Sequence, residues 1–200
     1  MFALVESGSI TKMLSGNQGI IIDGVQHPRA IYTLWTEAER NAIGIYTVEI
    51  DESKKKDEKW YRNTDITYAF SGGKVTGSYG DATAKAHADT KWTQEDEDNG
   101  LGTKDDIKVP GVKTILIKQV KAEASQELQK TDWYVVRKAD TDEAIPSAVA
   151  THRAAVRSKQ AEMETAITNA SDTPALETLY TYTEQEDGTS ARPLGEIPNL

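Results

Sequence analysis

"KTDWYVVRKADTDEAIP", residues 130–146, separates two helical patterns, and its reading decides the layout of the C-terminal half. Thr131 and Asp132 carry short polar side chains of the kind that satisfy free backbone groups at a helix end. Trp133 and Val135 then alternate with Tyr134 and Val136, which predicts a short extended run packed over a hairpin. The charged return "RKADTDEA" passes through solvent. Pro146 opens the next helix with its φ already fixed. The stretch reads as a structural clasp between two helices rather than a catalytic loop.

Upstream, Pro110 and Gly111 precede apolar residues at Val112, Leu116, Val120, Ala124 and Leu128. That four-residue spacing predicts an amphipathic helix of about five turns. Downstream, Val149, Val156, Met163 and Ala170 recur every seven residues, with Ile167 between them. They predict one long helix. Packing against the 112–128 helix and a homotypic coiled coil both fit that repeat. Thr173 and Pro174 open a short third helix that contains Leu176, Leu179 and Tyr180.

The N-terminal part has a different period. "FALVE" reads as a strand, "SGS" as a turn and "ITKML" as a hairpin partner. "QGIIID" and "IGIYTVEID" are rich in β-branched residues. In "DITYAFSGGKVTGSYG" the alternation of Ile66, Tyr68 and Phe70 resumes after "SGG" at Val75 and Tyr79, a second hairpin pattern. One short helix interrupts, where Thr36 and Glu39 form a capping-box pair and Gly44 marks the stop. "KWTQEDEDNGLGTKDD" is acidic, carries glycine and lacks a period, so it reads as an exposed loop. The expected fold is α+β. A small β-rich domain over 1–90 is followed by an acidic linker over 91–110, a helical hairpin with a long helix over 111–182, and an irregular tail over 183–200.

Composition narrows the function classes. The chain has 200 residues, 38% of them hydrophobic, no cysteine and a formal net charge of -9. An acidic surface repels phosphates, so no nucleic-acid partner is expected. The absence of cysteine removes disulfides, thiolate nucleophiles and cysteine-type zinc sites. The start "MFALVESGSITKML" has neither the basic nor the apolar region of a signal peptide, and no apolar run approaches membrane-spanning length. The expectation is a soluble protein with no membrane partner.

The search for chemistry finds little. His27, His87 and His152 stand in separate segments with no ligand spacing. Read as a calcium loop from Asp96, the acidic segment puts Leu101 where glycine is needed and Ile107 where glutamate is needed. No phosphate loop and no Gly-x-Ser-x-Gly elbow occurs. We therefore expect no enzyme, with no catalytic residue, cofactor or metal. Binding is the expected mode of action. Trp35, Tyr46 and Trp60 are candidate anchors, since aromatic side chains dominate interface energetics. Arg153 and Arg157 lie four residues apart on the long helix. They form either a solvated face or a pair met by carboxylates, from Asp132, from Asp140 or from a partner chain.

The stretch "LQKTDWYVVRKADTDEAIPSAVATHRAAVR" resembles the C-terminal module of phage tail assembly chaperones and tail fibre assembly proteins. In that module a helix leads to a Thr-Asp-Trp signature and an arginine pair follows on the next helix. The matching positions are Thr131, Asp132 and Trp133, then Arg153 and Arg157, within about residues 112–166. "HPRAIYTLWTEAERNAIGIY" (27–46) and "ARPLGEIP" (191–198) are similar to segments of small marine-phage proteins. The resemblance implies a virion protein of the tail or tail fibre that contacts other tail or fibre proteins and copies of itself. The alternative it implies is a dissociating assembly chaperone. Its location would be the tail region of the virion, with the host cytoplasm as the site of assembly. Trp133, Arg153 and Arg157 join the candidate contact residues, and no catalytic residue is implied.

Overall fold

A computed structural model describes residues 1–200, and the fold is α+β. The chain forms two compact units, Met1–Thr83 and Ala84–Leu200.

The first unit contains β1 (Phe2–Glu6), β2 (Ser9–Leu14), β3 (Ile20–Ile22), β4 (Val25–His27), α1 (Ile31–Leu34), α2 (Glu37–Ala42), β5 (Ile45–Asp51), β6 (Tyr61–Arg62), β7 (Thr67–Ser71) and β8 (Lys74–Ser78). Its main sheet has the order β2-β1-β5-β8-β7. Every pairing is antiparallel except β5 with β8, where Val48 lies opposite Val75 in parallel register. The run "FALVE" is apolar at consecutive positions because β1 is covered on both faces. Leu4 packs with Leu14, Ile20, Ile22, Ile31, Tyr32 and Ile45 on one side. Ala3 and Val5 pack with Val48 and Val75 on the other. Burying an Ile or Val side chain fully contributes roughly 1.5–3 kcal/mol, so these two clusters dominate the unit's stability.

The capping box is present. Thr36 Oγ1 accepts from the Glu39 backbone N–H at 3.3 Å, and Glu39 accepts from the Thr36 backbone N–H at 2.7 Å. Gly44 ends this stretch with φ of 80°, and its carbonyl accepts from the Val5 N–H at 2.8 Å. A Cβ at Gly44 would stand 2.6 Å from the Val5 carbonyl oxygen, so no other residue fits beside β1.

β9 (Thr83–Ala84) lies where the units divide. The second unit then holds β10 (Thr90–Lys91), α3 (Gln94–Asp98), β11 (Ile107–Val109), α4 (Val112–Gln129), α5 (Asp132–Thr141), α6 (Ser147–Asn169), α7 (Thr173–Tyr180), β12 (Thr183–Glu184) and β13 (Ser190–Ala191). α4 buries Val112, Leu116, Val120 and Ala124, the expected four-residue stripe, against α6. From α6 come Val149, Val156, Met163 and Ile167. The seven-residue repeat therefore packs within the chain as far as Met163, while Ala170, its expected last member, is the C-cap of α6 and only half-buried. Leu176 of α7 is fully enclosed.

Three expectations are corrected. Residues 132–141 are helical, not extended. Four alternating residues are too few to fix a period of two, while Asp132 in the first turn and Lys138 in the last complement the helix dipole. The acidic segment is not a free linker. It lies inside the second unit, with β10 and β11 paired across it and Thr93 and Asp96 capping α3. A single helical turn contains no complete period, so the pattern alone hides it. Asp89 also ties the segment to α4, accepting from the Gly111 N–H at 2.7 Å and the Thr114 hydroxyl at 2.8 Å. Finally, the tail forms the small β12–β13 hairpin, and Leu194 beyond it is buried.

Candidate interaction surface

Thr131, Asp132 and Arg153 converge. Arg153 is 7% exposed and projects from α6 to the C-terminal end of α4. Its Nη1 donates to the Leu128 carbonyl and to Thr131 Oγ1, both at 2.7 Å. It also meets Asp132 Oδ1 at 2.9 Å. The Thr131 hydroxyl donates to the same Leu128 carbonyl at 3.0 Å. A cation thus sits on the carbonyl end of α4, where the helix dipole favours it. The first residue of α5 is tied to α6 by the same guanidinium.

The rest of α5 stands out from this anchor, and none of its residues is buried. Trp133 is 52% exposed, Val136 is 66% exposed, and Val135 is exposed beside them. The Trp133 and Tyr134 rings lie 3.8 Å apart, and the Arg137 guanidinium covers both at 4.8 and 5.3 Å. Glu143 pairs with Arg137 at 3.1 Å. The helix therefore presents a braced aromatic and aliphatic face to solvent.

A second polar centre lies at the same C-terminal end of α4. Glu127 is 4% exposed and takes the buried position that the stripe assigned to Leu128. Its carboxylate accepts from the Leu200 N–H at 3.0 Å, pairs with Lys130, and meets His152 Nε2 at 3.0 Å. A carboxylate only accepts, so the His152 proton belongs on Nε2. The Lys130 ammonium, then the Leu200 N–H and His152, hold the Glu127 carboxyl below the usual range against the opposing effect of desolvation. Sequence reasoning missed Glu127. The available signal was a carboxylate three residues after Ala124, on the edge of the apolar stripe.

The remaining anchors separate. Trp60 is 3% exposed and belongs to the interior, so it is not available to a partner. Trp35 is half-buried against the first core cluster, edge-on to His27 at 5.8 Å. Tyr46 is half-buried against Phe70, with ring centroids 4.8 Å apart. Arg153 serves its own chain, through the Asp132 contact that was one of the open readings. Arg157 is exposed on α6. The structure gathers no group of three or more His, Asp or Glu side chains able to hold a metal ion. No helix is long and apolar enough to cross a membrane.

Comparison with protein-family models, curated proteins and solved structures finds no match.

Proposed function

We propose that the chain is a non-enzymatic bacteriophage virion protein of the tail or tail fibre, working through protein–protein contacts. One observation carries this reading. Three of the five residues on which the resemblance rests form a bonded unit, in which Thr131 and Asp132 meet Arg153, at the start of the exposed α5 face. A helix whose aromatic residue is braced but half-exposed is suited to contact, because little side-chain entropy remains to be lost on binding. Trp133 is the anchor of that contact, and α5 is the element that meets neighbouring tail or fibre proteins.

The reading is tested by mass spectrometry of purified virions together with a Trp133→Ala variant. Presence of the chain in stoichiometric amount supports a virion component. Its absence from particles whose assembly requires it would move the assignment to a dissociating chaperone. Trp133→Ala removes a half-exposed ring, so it is expected to leave melting nearly unchanged while lowering incorporation. Normal incorporation of a folded Trp133→Ala chain would remove α5 as the contact element.

A further inference from the structure

We propose that Asn99 is a self-modification site, deamidated through attack by the Gly100 main-chain nitrogen at a rate set by opening of the α3 cap. The inference goes beyond the contact reading above and needs no partner protein.

The chain has six asparagines, and only Asn99 precedes glycine. Asn17, Asn41, Asn63, Asn169 and Asn199 are each followed by a residue whose Cβ crowds the nitrogen that must attack. Gly100 has no Cβ, and nothing lies within 4 Å of the place where one would stand. Asn99 is exposed and its carboxamide makes no hydrogen bond. Asn63, by contrast, is bonded to Lys56 through both side-chain polar atoms, at 2.8 and 2.9 Å.

The reaction needs only the chain and water. The Gly100 nitrogen bonds to Asn99 Cγ, the Cγ–Nδ2 bond breaks, and ammonia leaves with the proton that the attacking nitrogen gives up. Water then opens the ring. Cleavage at Cγ leaves aspartate, and cleavage at the main-chain carbonyl carbon leaves isoaspartate.

The closed cap holds this reaction back. The Gly100 N–H donates to the Glu97 carbonyl and the Leu101 N–H to the Asp96 carbonyl, both at 2.9 Å, the paired bonds of a Schellman end. They fix Asn99 at φ of -87° and ψ of 2°, and ring closure requires rotation about that ψ. The gate is weak, because α3 is a five-residue turn with no buried residue, and such a turn opens at low cost. Its start is held by the Thr93 capping box and by Lys108, which meets Asp96 at 3.1 Å. Conversion opposes reclosure. The new carboxylate stands at the negative end of the α3 dipole beside Glu97 and Asp98. Isoaspartate also lengthens the main chain, so the two cap bonds no longer align.

Peptide mapping by mass spectrometry tests this on the full chain, wild type and Thr93→Ala, held folded or in urea in warm, mildly alkaline buffer. The urea sample sets the clock, and the folded sample is followed for many times the period that converts Asn99 there. Asn99 is expected to convert before the other asparagines in both states, more slowly when folded. Thr93→Ala removes the N-cap, so it should speed the folded-state reaction about fivefold and leave the urea rate unchanged. Hydrogen exchange at Gly100 and Leu101 measures the opening of α3 directly. Lys108→Ala takes the place of Thr93→Ala if the latter unfolds the unit or leaves that exchange unchanged. An Asn99 that stays intact in the folded chain throughout overturns the proposal, as does earlier conversion of another asparagine. A conversion rate equal to wild type in a variant whose α3 opens more would also overturn it, since the cap would then not be the gate.

Discussion

Replacing Arg153 with alanine should destabilise the second unit far more than removing its ion-pair partner. Arg153 donates two short bonds in a buried setting, to the Leu128 carbonyl and to Thr131 Oγ1. A hydrogen bond from a charged donor contributes about 1.5–3 kcal/mol. The Thr131 hydroxyl continues to satisfy the Leu128 carbonyl, so one bond is lost outright and the other is partly replaced. The aliphatic stem of Arg153 adds packing that alanine does not supply. Together these give a loss of about 3 kcal/mol. Asp132 is half-exposed, so its ion pair is screened, and Asp132→Ala should cost below about 1 kcal/mol. Native-state hydrogen exchange on the amides of α4 and α6 is the assay, because it reports the second unit separately from the first. Equal losses for Arg153→Ala and Asp132→Ala would refute the reasoning, since the cap on the α4 carbonyl end would then contribute nothing beyond the surface pair.

Two further perturbations follow from the same geometry. Glu127 has a carboxyl pKa lowered in the folded state, so its contribution is present above the unfolded value and is lost as pH falls through the lowered folded value. The gap in melting temperature between wild type and Glu127→Gln should therefore narrow in acid; a gap as wide in acid as at neutral pH would contradict the bonding described. Gly44→Ala should cost about 2 kcal/mol or more, because it adds a clash with the Val5 carbonyl to the strain of positive φ. Gly24→Ala is the control, at similar φ but with nothing within 4 Å of the new Cβ, and chemical denaturation that finds the two equally costly would remove the clash from the account.

Local signals were the legible ones. The four-residue stripe of α4, the seven-residue repeat of α6, the Thr36–Glu39 capping box and the hairpins around Gly8 and Gly72 all follow from short-range spacing. The parallel pairing of β5 with β8 was not legible, because it joins distant segments and leaves no local mark. The β3–β4 ribbon was missed since "VQH" is too short to show a period, although Asp23–Gly24 between the strands is a turn pair. At the candidate surface, the Arg153–Asp132 contact was among the alternatives posed. The helical state of α5 was not, because four alternating residues do not fix a period, and the burial of Glu127 was not, because it depends on how α4 meets α6 and the C-terminus.

The double burial of β1 bears on how the chain is made. β1 and β2 leave the ribosome before the rest of the unit and can pair at once. Val75, which completes one of the two clusters around β1, belongs to β8 and is synthesised far later. At about 5–20 residues per second the interval lasts on the order of several seconds. Throughout it, Ala3 and Val5 lack part of their cover, and until β5 emerges β1 also offers an open edge to any nascent neighbour. A polysome crowded with this message would concentrate such edges, so the yield of folded chain should fall when translation between β2 and β5 is slowed.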